Sequence, residues 1–172
     1  MLLRLKTCVF LLIVSTTFTV GAHGPRFERT MQEGAPVVLD NATGLTWQGC
    51  PVGMTGNESS CSGDAAMYAW SDAVNHCASL NAGNYAGYST GWGLPGVKEL
   101  RGIVDNRHAS PEDDKTVFPN TVEGMYWTSA SYAPNPLSSW VVYFGSGVFG
   151  HGFLIYSIKL DSTYFRCVRR SP

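Results

Sequence analysis

The sequence predicts an α+β domain, an antiparallel sheet with two helices and long connecting loops, and three observations carry that expectation. Apolar residues recur at helical spacing in the first half, where Ala66, Trp70, Ala73, Val74, Cys77 and Leu80 mark one helix and Val97, Leu100, Ile103 and Val104 a shorter one. Runs rich in aromatic and β-branched residues crowd the second half: Tyr126 to Ser129, Trp140 to Phe144, Phe149 to Ile155 and Tyr164 to Val168. Gly, Pro, Asn or Asp separates these runs, as expected of antiparallel strands. Segregated helices and strands pack as helices against one sheet. Four cysteines, Cys50, Cys61, Cys77 and Cys167, are placed to staple the two halves together.

Taken in chain order, residues 1–22 read as a secretory signal. Arg4 and Lys6 form a short basic region, Val9 to Val14 is an apolar run too short to span a bilayer, and Val20, Gly21 and Ala22 precede the expected cut. Cys8 precedes the apolar run, so it is not placed as a lipidated cysteine. Residues 23–35, beginning at His23, carry both charges and few branched apolars and are expected to form a flexible leader, with order beginning near Pro36. The domain itself is assigned to residues 36–172. Val37 to Leu39 and Leu45 to Trp47 flank Asp40-Asn41-Ala42-Thr43-Gly44, a turn composition that predicts a hairpin. Cys50 to Gly63 reads as a loop, with Asp64 the expected N-cap of the first helix. A second loop reaches Gly93, and Gly96 begins the second helix without a capping side chain. Pro111, Glu112, Asp113, Asp114 and Pro119 make Asp105 to Asn120 a long solvated loop.

The chain of 172 residues has room for one such domain. Lys plus Arg number 12 against 13 for Asp plus Glu, and removing Arg4 and Lys6 leaves 10 − 13 = −3. Nucleic acid is therefore not an expected partner, and no segment reads as a membrane span. Export leaves the four cysteines in an oxidising compartment, periplasmic, secreted or at the cell surface, where structural disulfides persist. Three connectivities are open. The favoured one joins Cys50 to Cys61 across a Gly/Ser-rich loop and Cys77 to Cys167, tying a helix to the last strand.

Six blocks then appear in one order: VVLDNATGLTWQ (Val37 to Gln48), WSDAVNHCASL (Trp70 to Leu80), WGLPGVKEL (Trp92 to Leu100), YWTSASY (Tyr126 to Tyr132), SWVVYF (Ser139 to Phe144) and FRCVR (Phe165 to Arg169). Together they resemble the Lcl C-terminal domain family, named for the end domain of a bacterial collagen-like surface adhesin. The resemblance implies a C-type lectin-like α+β fold in an exported bacterial protein, most members of the family having no known activity and at least one binding sulfated host glycans. The family's usual Arg after the Trp of WRLP is Gly93 here, and its capping Ser or Thr is Gly96.

Aromatic and arginine side chains in the loops are the expected ligand contacts, because ring faces pack on sugar C–H patches and guanidinium groups bind acidic groups bidentately. Tyr85, Tyr88, Tyr132, Asn135, Arg101, Arg107, Arg166 and Arg169 are the candidates, with Trp92 and Trp127 assigned to the core. The stretch Ala133-Pro134-Asn135-Pro136 lacks the carboxylate that a calcium-dependent sugar site needs, so turn chemistry is expected there. Glu112, Asp113 and Asp114 with Asp105 read as a solvated acidic loop, and Asp72 with His76 as a surface pair. No hydrolase elbow, zinc-protease helix motif or phosphate-binding loop is present, and no cofactor is expected. The expected function is that of a non-catalytic recognition or adhesion module for a glycan or a cell-surface protein. One alternative is a secreted enzyme whose N-terminal His23 chelates copper with His76, His108 or His151. The other is a structural subunit that forms a homo-oligomer through exposed aromatics.

Overall fold

The structure is a computed structural model, and it describes residues 25–104, 115–145 and 152–171. Its elements run β1 (Phe27–Gln32), β2 (Ala35–Asp40), β3 (Leu45–Gln48), β4 (Thr55–Gly56), β5 (Cys61–Ser62), α1 (Trp70–Ala82), a 3-10 turn (Tyr85–Gly87), β6 (Trp92–Gly93), α2 (Val97–Gly102), β7 (Gly124–Ser131), β8 (Ser138–Phe144), β9 (Leu154–Ile158) and β10 (Val168–Arg169). One sheet has the order β1-β2-β3-β10-β6, a second β7-β8-β9, and β4 pairs with β5. Every named ladder is antiparallel. Among the described residues this is a mixed α/β architecture with two helices and two disulfides, as the sequence predicts.

The hairpin β2-β3 forms where the turn composition places it, with Val37 opposite Gln48 and Asp40 opposite Leu45. Order begins earlier than Pro36. Residues 27–32, expected within a flexible leader, form β1 and pair with β2 from Phe27↔Asp40 to Gln32↔Ala35. Glu33 and Gly34 both adopt positive φ in the two-residue turn between them, the geometry that matches strand twist. The strand lacks branched apolars because it is the sheet's edge. Polar contacts hold it instead: Arg26, just before the strand, grips Asp40 with two hydrogen bonds of 3.0 and 2.8 Å, and Arg29 donates to the Gly49 and Val117 carbonyls.

Helix α1 starts at Trp70, six residues past the expected Asp64 cap, and Ala69 at its N-cap offers no side-chain acceptor. The preceding residues are held extended by Ala66 N–H to the Val52 carbonyl and by a two-way bridge between Tyr68 and Thr163. One of the helix's unsatisfied N–H groups, that of Trp70, donates to the Lys159 carbonyl at 2.9 Å, so the tail of the chain supplies what a capping side chain would. At α2, Gly96 has no side chain to cap with, but its N–H donates to the Glu99 carboxylate at 2.6 Å, which is half of a capping box.

The last strands are displaced from expectation. β9 begins at Leu154 and runs to Ile158, later than the expected Phe149 to Ile155, of which residues 149–151 lie outside the described residues. Of Tyr164 to Val168, the ladder takes Val168 alone and continues to Arg169, while Tyr164 bridges Tyr126 in parallel.

Strands β7 and β8 contribute to a core on each face of the second sheet. On β8 the consecutive residues Val141 and Val142 point opposite ways, as the two-residue period of a strand requires. Val141 joins Trp127, Ala73, Cys77, Trp92 and Phe165 in one core cluster, and Val142 joins Tyr126, Phe144, Leu100, Ile103 and Phe118 in the other. Trp92 and Trp127 are core residues, as expected. Both favoured disulfides are present: Cys50 to Cys61, with Cα atoms 5.7 Å apart, and Cys77 to Cys167, at 5.4 Å.

Candidate functional site

The far end of the second sheet carries an aromatic surface. Trp140 on β8 lies directly opposite Tyr156 on β9, so both rings emerge on one face. The chain leaves β7 with a register shift between Trp127 and Ser131, and this irregularity turns Tyr132 onto the same face. Tyr132 stacks on Tyr156 with ring centroids 4.3 Å apart and planes 6° apart, and it meets Trp140 edge-on at 4.9 Å. Tyr156 keeps 50% of its surface exposed. Leu137, Ile158 and Leu160, all exposed, lie in the adjoining stretches of chain.

Polar contacts hold the loop that presents Tyr132. Asn135 Oδ1 accepts the Leu137 N–H at 3.1 Å, while Asn135 N–H donates to the Tyr132 carbonyl and Ser138 N–H to the Asn135 carbonyl. Asn135 thus spends its carbonyl oxygen on a turn, as the Pro-Asn-Pro composition predicts. Lys159, just past the end of β9, clamps the loop, donating 2.9 Å hydrogen bonds to Ser131 Oγ and the Pro136 carbonyl while its ammonium lies 4.3 Å from the Trp70 ring centroid. The result is a platform whose rings are fixed before any ligand arrives.

The expected ligand residues do not form one cluster. Tyr132 and Asn135 belong to this platform. Tyr85 and Tyr88 pack edge-on against Trp92 on the first sheet, at 5.2 and 6.5 Å. Arg169 lies over the Tyr88 ring at 3.9 Å and donates to the Thr90 carbonyl, so it belongs to that second group. Arg101 is exposed on α2. Arg107, His108, Asp105 and the acidic run Glu112 to Asp114 lie outside the described residues, as do His23 and His151.

Arg166 is a correction. It is 1% exposed, donating to the Gln48 carbonyl and Thr121 Oγ1 at 2.8 Å each and covering the Phe118 ring. Buried acceptors, rather than a surface ligand, hold this guanidinium. His76, paired in sequence with Asp72, instead meets Tyr68 and Phe165 edge-on, and burial holds its imidazole below the ordinary histidine range. Among the described residues no group of three or more His, Cys, Asp or Glu side chains is placed to hold a metal ion.

Sequence reasoning missed Tyr156 and Lys159. The expected strand end at Ile155 left Tyr156 outside the strand, although the alternation of Leu154, Tyr156 and Ile158 is the signal that places it on one face with Trp140, and Lys159 directly follows β9.

Comparison with known proteins gives one positive finding. The family model described as the Lcl C-terminal domain matches residues 36–169. No curated protein and no solved structure matches the chain.

Proposed function

The chain belongs to the Lcl C-terminal domain family, and from that premise we propose that it is an exported recognition module, without catalytic activity, that binds glycans through the Tyr132-Trp140-Tyr156 platform. The observation that carries this reading is the parallel stack of Tyr132 on a half-exposed Tyr156, braced by Trp140. Rigid aromatic faces attract the apolar C–H patch of a pyranose with little loss of side-chain freedom on binding. Export is supported by the signal-like first 22 residues and by two disulfides, which persist outside reducing compartments. Among the described residues no helix is long and apolar enough to cross a membrane. A C-type lectin-like body is consistent with the early and last strands sharing one sheet, with β10 between β3 and β6, and with the two helices flanking a second sheet.

A glycan array probed with the secreted protein and with Tyr156→Ala tests the reading. Saturable binding to a defined set of sugars, lost in the variant, is the expected result. Failure of all sugars, neutral and acidic, overturns it. If Tyr156→Ala then still abolishes attachment to intact cells, the platform serves a protein partner, an outcome favoured by the exposed Leu137, Ile158 and Leu160 nearby.

A further inference from the structure

We propose that β9 is a docking edge for a second copy of this chain, the two β9 strands pairing antiparallel about a two-fold axis at Tyr156. The second sheet has two edges, and the chain treats them differently. It covers the β7 edge itself: Trp127 N–H donates to the Tyr164 carbonyl at 3.0 Å, Tyr164 N–H to the Met125 carbonyl at 3.1 Å and Ser129 N–H to the Pro95 carbonyl at 2.8 Å. Among the described residues no segment does the same for β9.

The ladder to β8 fixes which main-chain groups are left over. Tyr143 N–H donates to the Phe153 carbonyl and Lys159 N–H to the Leu137 carbonyl, so with Trp140 opposite Tyr156 the odd-numbered residues of β9 bond to β8. The N–H and C=O groups of Leu154, Tyr156 and Ile158 therefore point away from the sheet. Among the described residues only the Ile158 carbonyl has a partner, the Asp161 N–H at 2.9 Å. These groups complement themselves. With Tyr156 opposite its own copy, the two residues exchange both N–H to C=O bonds, and each Ile158 N–H meets the Leu154 carbonyl of the other copy.

Edges protected against such pairing carry a lysine, a proline or a bulge. β9 reads Leu-Ile-Tyr-Ser-Ile, with neither charge nor proline, and pairs with β8 without a register shift. The charges just beyond it are engaged within the chain, Lys159 on Ser131 and the Pro136 carbonyl and Asp161 on Ser157 Oγ at 2.8 Å. Two such strands meet without like-charge repulsion. Phe153, Tyr156, Ile158 and Leu160 are 43, 50, 51 and 87% exposed, which at about 200 Å² for a fully exposed large side chain leaves roughly 450 Å² of apolar surface on this edge. Two edges with their paired main chain come to about 1,200 Å², the lower end of specific protein–protein contacts, so the association is reversible. It joins two three-stranded sheets into one and sets the Tyr132–Tyr156 stacks of both copies on a common face.

The test is sedimentation velocity of the secreted protein from about 1 to about 500 µM, with residue-resolved amide exchange at both ends of that range. A reversible monomer–dimer transition is expected, in which exchange at Leu154, Tyr156 and Ile158 slows about threefold or more while Ile155 and Ser157, already bonded to β8, stay unchanged. Ile158→Lys places a charge at an exposed position and should abolish the dimer. Ile158→Pro deletes an outward N–H and no bond to β8, and should do the same, with near-UV circular dichroism reporting that each variant keeps its packing. Tyr132→Ala strips the platform but not the edge and should leave the dimer intact, so this result stands apart from that of the glycan array. A monomer throughout, a dimer without the two-residue alternation in exchange, or one that survives Ile158→Lys overturns the proposal. So does a monomer whose outward β9 amides slow only when an extended peptide of other sequence is added, which would assign the edge to a foreign strand.

Discussion

Removing the Cys77–Cys167 bridge should destabilise the protein far more than removing Cys50–Cys61. The two bridges close loops of very different length, with sequence separations of 90 and 11. In the chain-entropy description a cross-link acts on the unfolded ensemble, and these lengths give about 4.6 and about 2.8 kcal/mol near room temperature. Both pairs are buried, and the paired Cys→Ala variants each lose two buried sulfurs, so much of the packing cost cancels in the comparison. The remaining difference of about 1.8 kcal/mol corresponds to about twentyfold in the folding equilibrium. Urea denaturation of the wild type, C50A/C61A and C77A/C167A under non-reducing conditions measures it. The long-loop variant should also show the steeper dependence on urea, because its unfolded chain expands further. Equal losses in the two variants, or a larger loss for C50A/C61A, would refute the reasoning that the 90-residue loop sets the unfolded-state entropy.

Three other perturbations follow from single contacts. Gly91 has φ +90° and its missing side chain leaves room for the Arg170 carbonyl, so Gly91→Ala should cost about 3 kcal/mol in thermal or urea unfolding by combining strain with a steric clash. His76 is held below its ordinary pKa by burial, so the unfolded chain binds its proton first; stability attributable to neutral His76 is present above about pH 6.5 and falls as pH drops through the folded-state value. His76→Gln should flatten that part of the stability-versus-pH curve, and an unchanged curve would contradict the assignment. Lys159→Met removes the clamp on Ser131 and the Pro136 carbonyl; the loss in global stability should stay near 1 kcal/mol, with amide exchange across residues 132–137 accelerating more than elsewhere.

What the sequence made legible was whatever depends on neighbours in the chain. The β2-β3 hairpin follows from turn residues between two apolar runs, and both helices from their apolar spacing. What it hid depends on partners far away. Arg29 and Arg26 make β1 look like a charged leader, yet Arg29 is bound by a carbonyl 88 residues distant. The start of α1 is set by the Lys159 carbonyl rather than by Asp64. Arg166 has the composition of a surface residue, and only the convergence of Gln48 and Thr121 makes its burial tolerable. For the site, Tyr132 was visible through its Pro- and Asn-rich loop, whereas Tyr156 became meaningful once Trp140 was seen opposite it.

The placement of β10 between β3 and β6 has a consequence for biogenesis. A ribosome delivers β3 and β6 long before the two residues that must slide between them, so no nascent fragment lacking Val168 and Arg169 can close this sheet. Closure of the first sheet therefore waits for Val168 and Arg169, and the Cys77–Cys167 bond cannot form before Cys167 has been made. A chain built this way keeps a gap between β3 and β6 that no earlier segment fills, so the integrity of its first sheet depends on two residues delivered last among its strands.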